Sequence, residues 1–182
     1  MAPQLGCPVS VLDRKEDMDT IMTLFGPETA PAKKKIRLRS IRAVYRTELV
    51  REVGPAWLPE HCTSAANVFE LFRDLGTETK EHFLALHLDT KNRILCFDRV
   101  SVGSLSASIV HPREVYKSAL LSSAAAILFM HNHPSGDPYP SREDLDITKR
   151  LKECGELLGI RVLDHVVIGR DRYYSFADHG NL

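Results

Sequence analysis

The stretch that most constrains this chain is residues 124–130, seven apolar side chains in a row that stop at His131. A run of that length is too short for an independent helix and reads as a buried strand. Helical and extended patterns alternate around it. Residues 64–75 carry Val68, Phe69, Leu71, Phe72 and Leu75 at helical spacing, with Gly76 as the expected stop. Residues 83–88 and 93–100 read as strands joined by the turn Asp89-Thr90-Lys91-Asn92. Pro112 suits the first position of a helix reaching about Ser123, and Ser141 opens another that runs to Leu158 and stops at Gly159. Residues 162–168 and 173–176 form a last strand pair around Gly169-Arg170-Asp171-Arg172. The expected fold class is α/β.

Upstream, residues 11–25 are acidic and suggest a short helix through Met18, Ile21, Met22 and Phe25, stopped by Gly26-Pro27, with residues 28–35 as a linker. The expected organisation is a short N-terminal segment and linker, 1–35, before a single domain, 36–182. From Lys33 to Arg51 the chain is basic, with Ile36, Leu38, Val44 and Leu49 suggesting an extended, partly buried segment. Such a stretch could recruit nucleic acid or an acidic partner. With Tyr45 as its single aromatic residue, the stretch lacks the repeated aromatics that stack on bases, and a solvated strand face is the preferred reading. Trp57, between Pro55 and Pro59, reads as a core plug.

Bulk charge selects no partner, because 24 basic residues balance 24 acidic ones. Cys7, Cys62, Cys96 and Cys154 are scattered, with no CxxC pair, so a disulfide framework is not expected. Cys96 and Cys154 lie in apolar segments and read as small buried hydrophobes. No run approaches the ~20 apolar residues of a membrane span, and the first twenty residues lack the apolar core of a secretion signal. The expected location is cytoplasmic.

The chemistry concentrates in His131-Asn132-His133-Pro134-Ser135-Gly136-Asp137-Pro138-Tyr139-Pro140-Ser141-Arg142-Glu143-Asp144. Side chains two apart on an extended segment share a face, so His131 and His133 point together while Asn132 faces away. A loop rich in proline and glycine turns the chain back, and Asp144 in the first turn of the next helix can face both imidazoles. Two imidazoles and one carboxylate leave a tetrahedral position free for water, the pattern of a catalytic zinc site. The same residues have blander readings. An isolated HxH can hydrogen-bond in a loop, and Ser141-x-x-Asp144 imitates a capping box. Among the other histidines, His111 reads as a helix N-terminal contact, His165 as a buried hydrogen-bonding group that could support a ligand, and His82, His87 and His179 as surface or loop residues. Asp137 reads as a turn-former.

HxH, seven residues, then SxxD resembles the JAMM signature of the JAB/MPN metalloprotease fold. The longer stretch His131 to Pro138, with Val110-His111-Pro112-Arg113-Glu114-Val115, Asp164-His165-Val166-Val167-Ile168-Gly169 and Tyr174-Ser175-Phe176, is similar to the RadC family. The resemblance implies a JAB/MPN-like, cytidine-deaminase-like curved mixed sheet flanked by helices, with one zinc per chain held by His131, His133 and Asp144. It implies an upstream glutamate as general base just before a strand, which Glu81 matches better than Glu78. It leaves Ser141 to donate to an oxyanion. The expected activity is that of a zinc-dependent metallopeptidase or isopeptidase acting on a peptide or protein. The alternative is a DNA-repair-associated protein acting on or with nucleic acid, and the first 35 residues are shorter than the helix-hairpin-helix region of longer RadC proteins. A non-catalytic scaffold of the same fold usually lacks the ligands that are present here.

Overall fold

The computed structural model describes residues 22–23, 26–27, 43–48, 64–103 and 110–182. The chain divides into two units, Met1–Ile41 and Arg42–Leu182. In the first, β1 (Met22–Thr23) and β2 (Gly26–Pro27) form a short antiparallel pair. This corrects the expected helix at its C-terminal end. Pro27 has no N–H to offer a helix and biases the residue before it toward extended backbone. The remainder of the expected helix over 11–25, the linker 28–35, Trp57, Cys7 and Cys62 lie outside the described residues.

Of the basic stretch, residues 43–48 are described. They carry no strand, and Val44, expected to be partly buried, is 85% exposed. Among the described residues the segment joins no ladder of the sheet, and that side chain is left exposed. Glu48 faces Arg99 at 3.7 Å.

The second unit is built on one mixed sheet. It contains β3 (Glu81–Leu88), β4 (Ile94–Gly103), β5 (Ala126–Asn132), β6 (Arg161–Ile168) and β7 (Tyr173–Ser175), in the order β4-β3-β5-β6-β7. β5 is antiparallel to β3 and parallel to β6, while β4 and β7 close the two edges with antiparallel pairs. Strand alternation sends side chains to two cores. Leu84, Leu86, Leu88, Ala126, Leu128 and Met130 pack with α1 (Ala65–Phe72). Phe83, Ala85, Ile127 and Phe129 pack with α2 (Pro112–Leu121) and α3 (Arg142–Leu158). All seven residues of β5 are buried, which is why its sequence runs apolar without alternation.

The helix ends follow local chemistry. Ser64 Oγ accepts the Asn67 N–H, and His111, at the N-cap of α2, accepts the Arg113 N–H at 3.2 Å. Gly159 ends α3 at φ 70°, a left-handed conformation that costs glycine nothing. Among the described residues, no helix is long and apolar enough to cross a membrane.

Three expectations are corrected here. Gly76 does not end α1, because the helix stops at Phe72 and a 3-10 turn over Arg73–Thr77 follows. Its requirement is closeness: a Cβ there would run into the Gly169 carbonyl. His87 is no surface residue but fully buried in β3, with Nδ1 2.9 Å from Ser122 Oγ and 3.2 Å from Cys96 Sγ. A polar side chain survives there because Ser118 on α2 and Ser122 at its C-cap come within reach. Cys96 and Cys154 are half-buried rather than buried.

Gly76, Gly169 and Gly136 stack backbone on backbone, and a Cβ on Gly169 would lie 2.5 Å from the Gly136 carbonyl oxygen. Arg170 N–H donates to that same oxygen at 3.2 Å. The loop after His133 is thereby seated on the turn between β6 and β7. Gly169→Ala should cost about 1–3 kcal/mol of stability by overpacking. Gly159→Ala, where a Cβ meets nothing within 4 Å, should cost only about 1 kcal/mol through its backbone angle. Urea unfolding of the two variants checks the order.

Candidate metal centre

The site lies where β5 ends and α3 begins. The crossover from β5 through α3 to the parallel strand β6 brings the N-terminus of α3 to the C-terminal end of β5, a recurrent position for ligand sites in α/β sheets. His131 is on β5, His133 lies just beyond its end, and Asp144 is in the first turn of α3. His131 Nε2 is 3.1 Å from His133 Nε2 and 3.2 Å from Asp144 Oδ1, and His133 Nε2 is 3.4 Å from Asp144 Oδ2.

Both imidazoles are held from behind. His133 donates its Nδ1–H to the Asp137 carbonyl at 2.8 Å, which leaves Nε2 as the nitrogen turned to the site. His131 Nδ1 is 2.8 Å from His165 Nε2, His165 Nδ1 is 2.6 Å from Thr148 Oγ1, and Thr148 donates its hydroxyl to the Asp144 carbonyl at 2.5 Å. The hydrogens of that chain follow from counting. Thr148 has one hydrogen and gives it to Asp144, so His165 donates its Nδ1–H to Thr148. His165 Nε2 then accepts the Nδ1–H of His131, leaving His131 Nε2 with a free lone pair. His165 is fully buried and stacked on Phe176, and burial holds its pKa well below the ordinary value, so it is the neutral ring this count requires.

Asp144 combines two tasks that the sequence posed as alternatives. Its Oδ2 accepts the Ser141 N–H at 2.7 Å and the Ser141 hydroxyl at 2.6 Å, while Ser141 Oγ accepts the Asp144 N–H, which completes a capping box. The same carboxylate faces both imidazoles. Burial alone would raise the Asp144 pKa, but the imidazoles of His131 and His133 that face it, with the Ser141 hydroxyl, hold it well below the usual carboxylate range. For His133, burial lowers the pKa, and the Asp144 carboxylate, the Asp137 carbonyl and the charge of Glu81 together raise it. An environment that favours a proton on His133 favours any cation at that point.

These three side chains could hold a metal ion, since one ligand atom from each lies within 4.8 Å of the others. Donors about 2.0–2.2 Å from a tetrahedral ion stand roughly 3.3–3.6 Å apart, close to the separations of 3.1, 3.2 and 3.4 Å found here. Two lone pairs and a carboxylate converge without rearrangement.

Glu81 opens β3, half-buried, two residues before Phe83. Phe83 lies opposite His131 in the β3–β5 ladder and stacks on it, and alternation puts Glu81 on that same face. Glu78 is exposed and meets His82 at 3.8 Å. Asp137 is exposed, with its carboxylate 3.5 Å from Arg172, and serves the site through its carbonyl. His179 is exposed in the final turn, whereas His82 is half-buried within β3 rather than at the surface. Thr148 was invisible to the sequence reading. Its only signal is its place four residues after Asp144, one helical turn on.

The sequence pattern described as "RadC-like JAB domain" matches residues 62–181. A "UPF0758 protein" of Syntrophotalea carbinolica is 54% identical over 145 residues, covering 78% of this chain and 63% of the relative. One of Methanosarcina acetivorans is 46% identical, covering 82% of this chain and 74% of the relative. One of Geobacillus kaustophilus is 52% identical, covering 60% and 49%. The chain thus spans between half and three quarters of the length of these relatives. The open mixed sheet flanked by helices accords with the matched pattern, and the chain belongs to the RadC family, with a JAB/MPN-like domain.

Proposed function

We propose that this domain is a zinc-dependent hydrolase that cleaves an amide bond in a peptide or protein, with one zinc held by His131, His133 and Asp144. The observation that carries the reading is the convergence of two Nε2 lone pairs and a carboxylate at separations of 3.1, 3.2 and 3.4 Å. Imidazole and carboxylate donors suit zinc, and three protein ligands leave a position for water. When bound, zinc would acidify that water to a pKa of about 7 and polarise the substrate carbonyl.

The remaining chemistry belongs to the chain. Glu81, on the ligand face of β3, accepts the proton of the attacking water and returns it to the leaving amine, a role worth roughly 10²–10⁴-fold. Ser141 carries its hydroxyl beside the ligand carboxylate, and by turning from Asp144 to the substrate it donates to the developing oxyanion. His165 and Thr148 keep Nε2 of His131 unprotonated. The competing reading, action on nucleic acid recruited through the stretch from Lys33 to Arg51, has no comparable constellation behind it among the described residues. Among the described residues a single such cluster occurs, where phosphodiester hydrolases often use two ions.

Three outcomes test the proposal. Elemental analysis should find one zinc per chain in the wild type and little in His133→Ala, and equal content in both would remove the ligand assignment. His165→Phe should weaken zinc binding about 10–100-fold, as loss of a ligand's supporting partner typically does. His165→Gln, with an acceptor and a donor on one amide, should recover much of it. Chelator competition measures both variants. Glu81→Gln should keep zinc and lose peptide turnover by at least ~100-fold. Zinc-loaded protein is assayed on a peptide library and on single- and double-stranded DNA. DNA cleavage that Glu81→Gln abolishes, without peptide turnover, would overturn the reading.

A further inference from the structure

The residue between the two histidines is fully buried and is not a ligand. Asn132 Nδ2–H donates to the Lys80 carbonyl at 3.0 Å, and Asn132 Oδ1 accepts the His82 N–H at 2.8 Å. Those two backbone groups flank Glu81. The backbone ladder between β3 and β5 ends at Phe83 opposite His131. Beyond it the backbone of β5 turns to the other neighbour, with His133 N–H donating to the Ile168 carbonyl at 3.0 Å. The start of β3 would there lose its partner on the ligand side.

A carboxamide has the same donor and acceptor as a peptide group, so it can stand in for one. Asparagine reaches across the strand spacing with both. Aspartate offers no donor to Lys80, and leucine offers neither group. Strands three and five are thus joined for one step more, by a side chain, at the residue that carries the candidate base.

We infer that Asn132 is the positioning residue for Glu81: its side chain adds one rung to the ladder between β3 and β5 and so fixes the Glu81 carboxylate relative to the strand that bears His131 and His133. The inference rests on the proposed role of Glu81, but the rung itself does not. Because a misplacement near 1 Å can cost on the order of 10²-fold in rate, the device matters more to chemistry than to folding.

The test uses the full chain, isotope-labelled and loaded with cobalt(II) in place of zinc. In the wild type the His82 amide should be protected from hydrogen exchange like an amide of the regular ladder, despite its place at a strand end. In Asn132→Ala it should exchange roughly tenfold faster or more, as loss of a buried acceptor implies. Metal stoichiometry should be unchanged, while the cobalt-induced shift of the Glu81 carboxyl carbon moves. If Asn132→Ala does not fold, Asn132→Leu, of similar size and with neither donor nor acceptor, is read in the same way. An unprotected His82 amide in the wild type overturns the rung. An unmoved Glu81 signal in the variant, or metal loss as deep as in His133→Ala, overturns the positioning role. Wild type that takes up no metal contradicts the metal centre instead, and His82 exchange still decides on the rung.

Discussion

A neutral imidazole has one donor and one acceptor, and the hydrogen bond between His131 and His165 settles which nitrogen of His131 does which. Everything at the site follows from that pairing. A hydrogen on Nε2 of His131 would point at His133 Nε2, 3.1 Å away, and close the place where the donors meet. The buried chain through His165 and Thr148 prevents this by giving Nδ1 an acceptor. That chain joins β5, β6 and α3, so the arrangement of the candidate site depends on the sheet order and the position of the crossover helix.

The fold supplies the rest of the geometry by close approach. Ser141 caps α3 and orients the Asp144 carboxylate with two hydrogen bonds, so the helix start and the candidate ligand are one structure. Opposite it, the loop after His133 rests on the Gly136–Gly169–Gly76 stack, where no side chain fits between the backbones. Asp164, buried beside His165, accepts from the His165 and Ala177 N–H groups and from the Ser175 hydroxyl. The last turn of the chain is thereby tied to the strand that carries His165.

Much of this was legible in the sequence, for physical reasons that differ by residue. Residues 124–130 announced a buried strand because apolar side chains on both faces suit only a covered sheet. His131, His133 and Asp144 were legible because a period of two and a helix start aim them at one point. Gly159 was legible as a stop because nothing competes with its conformation. His87 was misread because its partners, Ser118 on α2 and Ser122 at its C-cap, lie more than thirty residues away in sequence, and no local pattern records such a pairing. Gly76 was misread because a close backbone contact and a helix stop look alike in sequence. Asn132 and Thr148 escaped notice because their roles exist only once the strands are paired. The acidic segment over 11–25 was misread at its end, where Gly26-Pro27 sits in a strand pair.

The proposed zinc site requires His131, His133 and Asp144 to present two nitrogens and one oxygen to the ion. X-ray absorption at the zinc edge of the loaded protein tests it most directly. The expected result is a shell of nitrogen and oxygen at about 2.0–2.1 Å with the outer scattering of two imidazole rings. Sulfur at about 2.3 Å, or a shell without imidazole scattering, would contradict it.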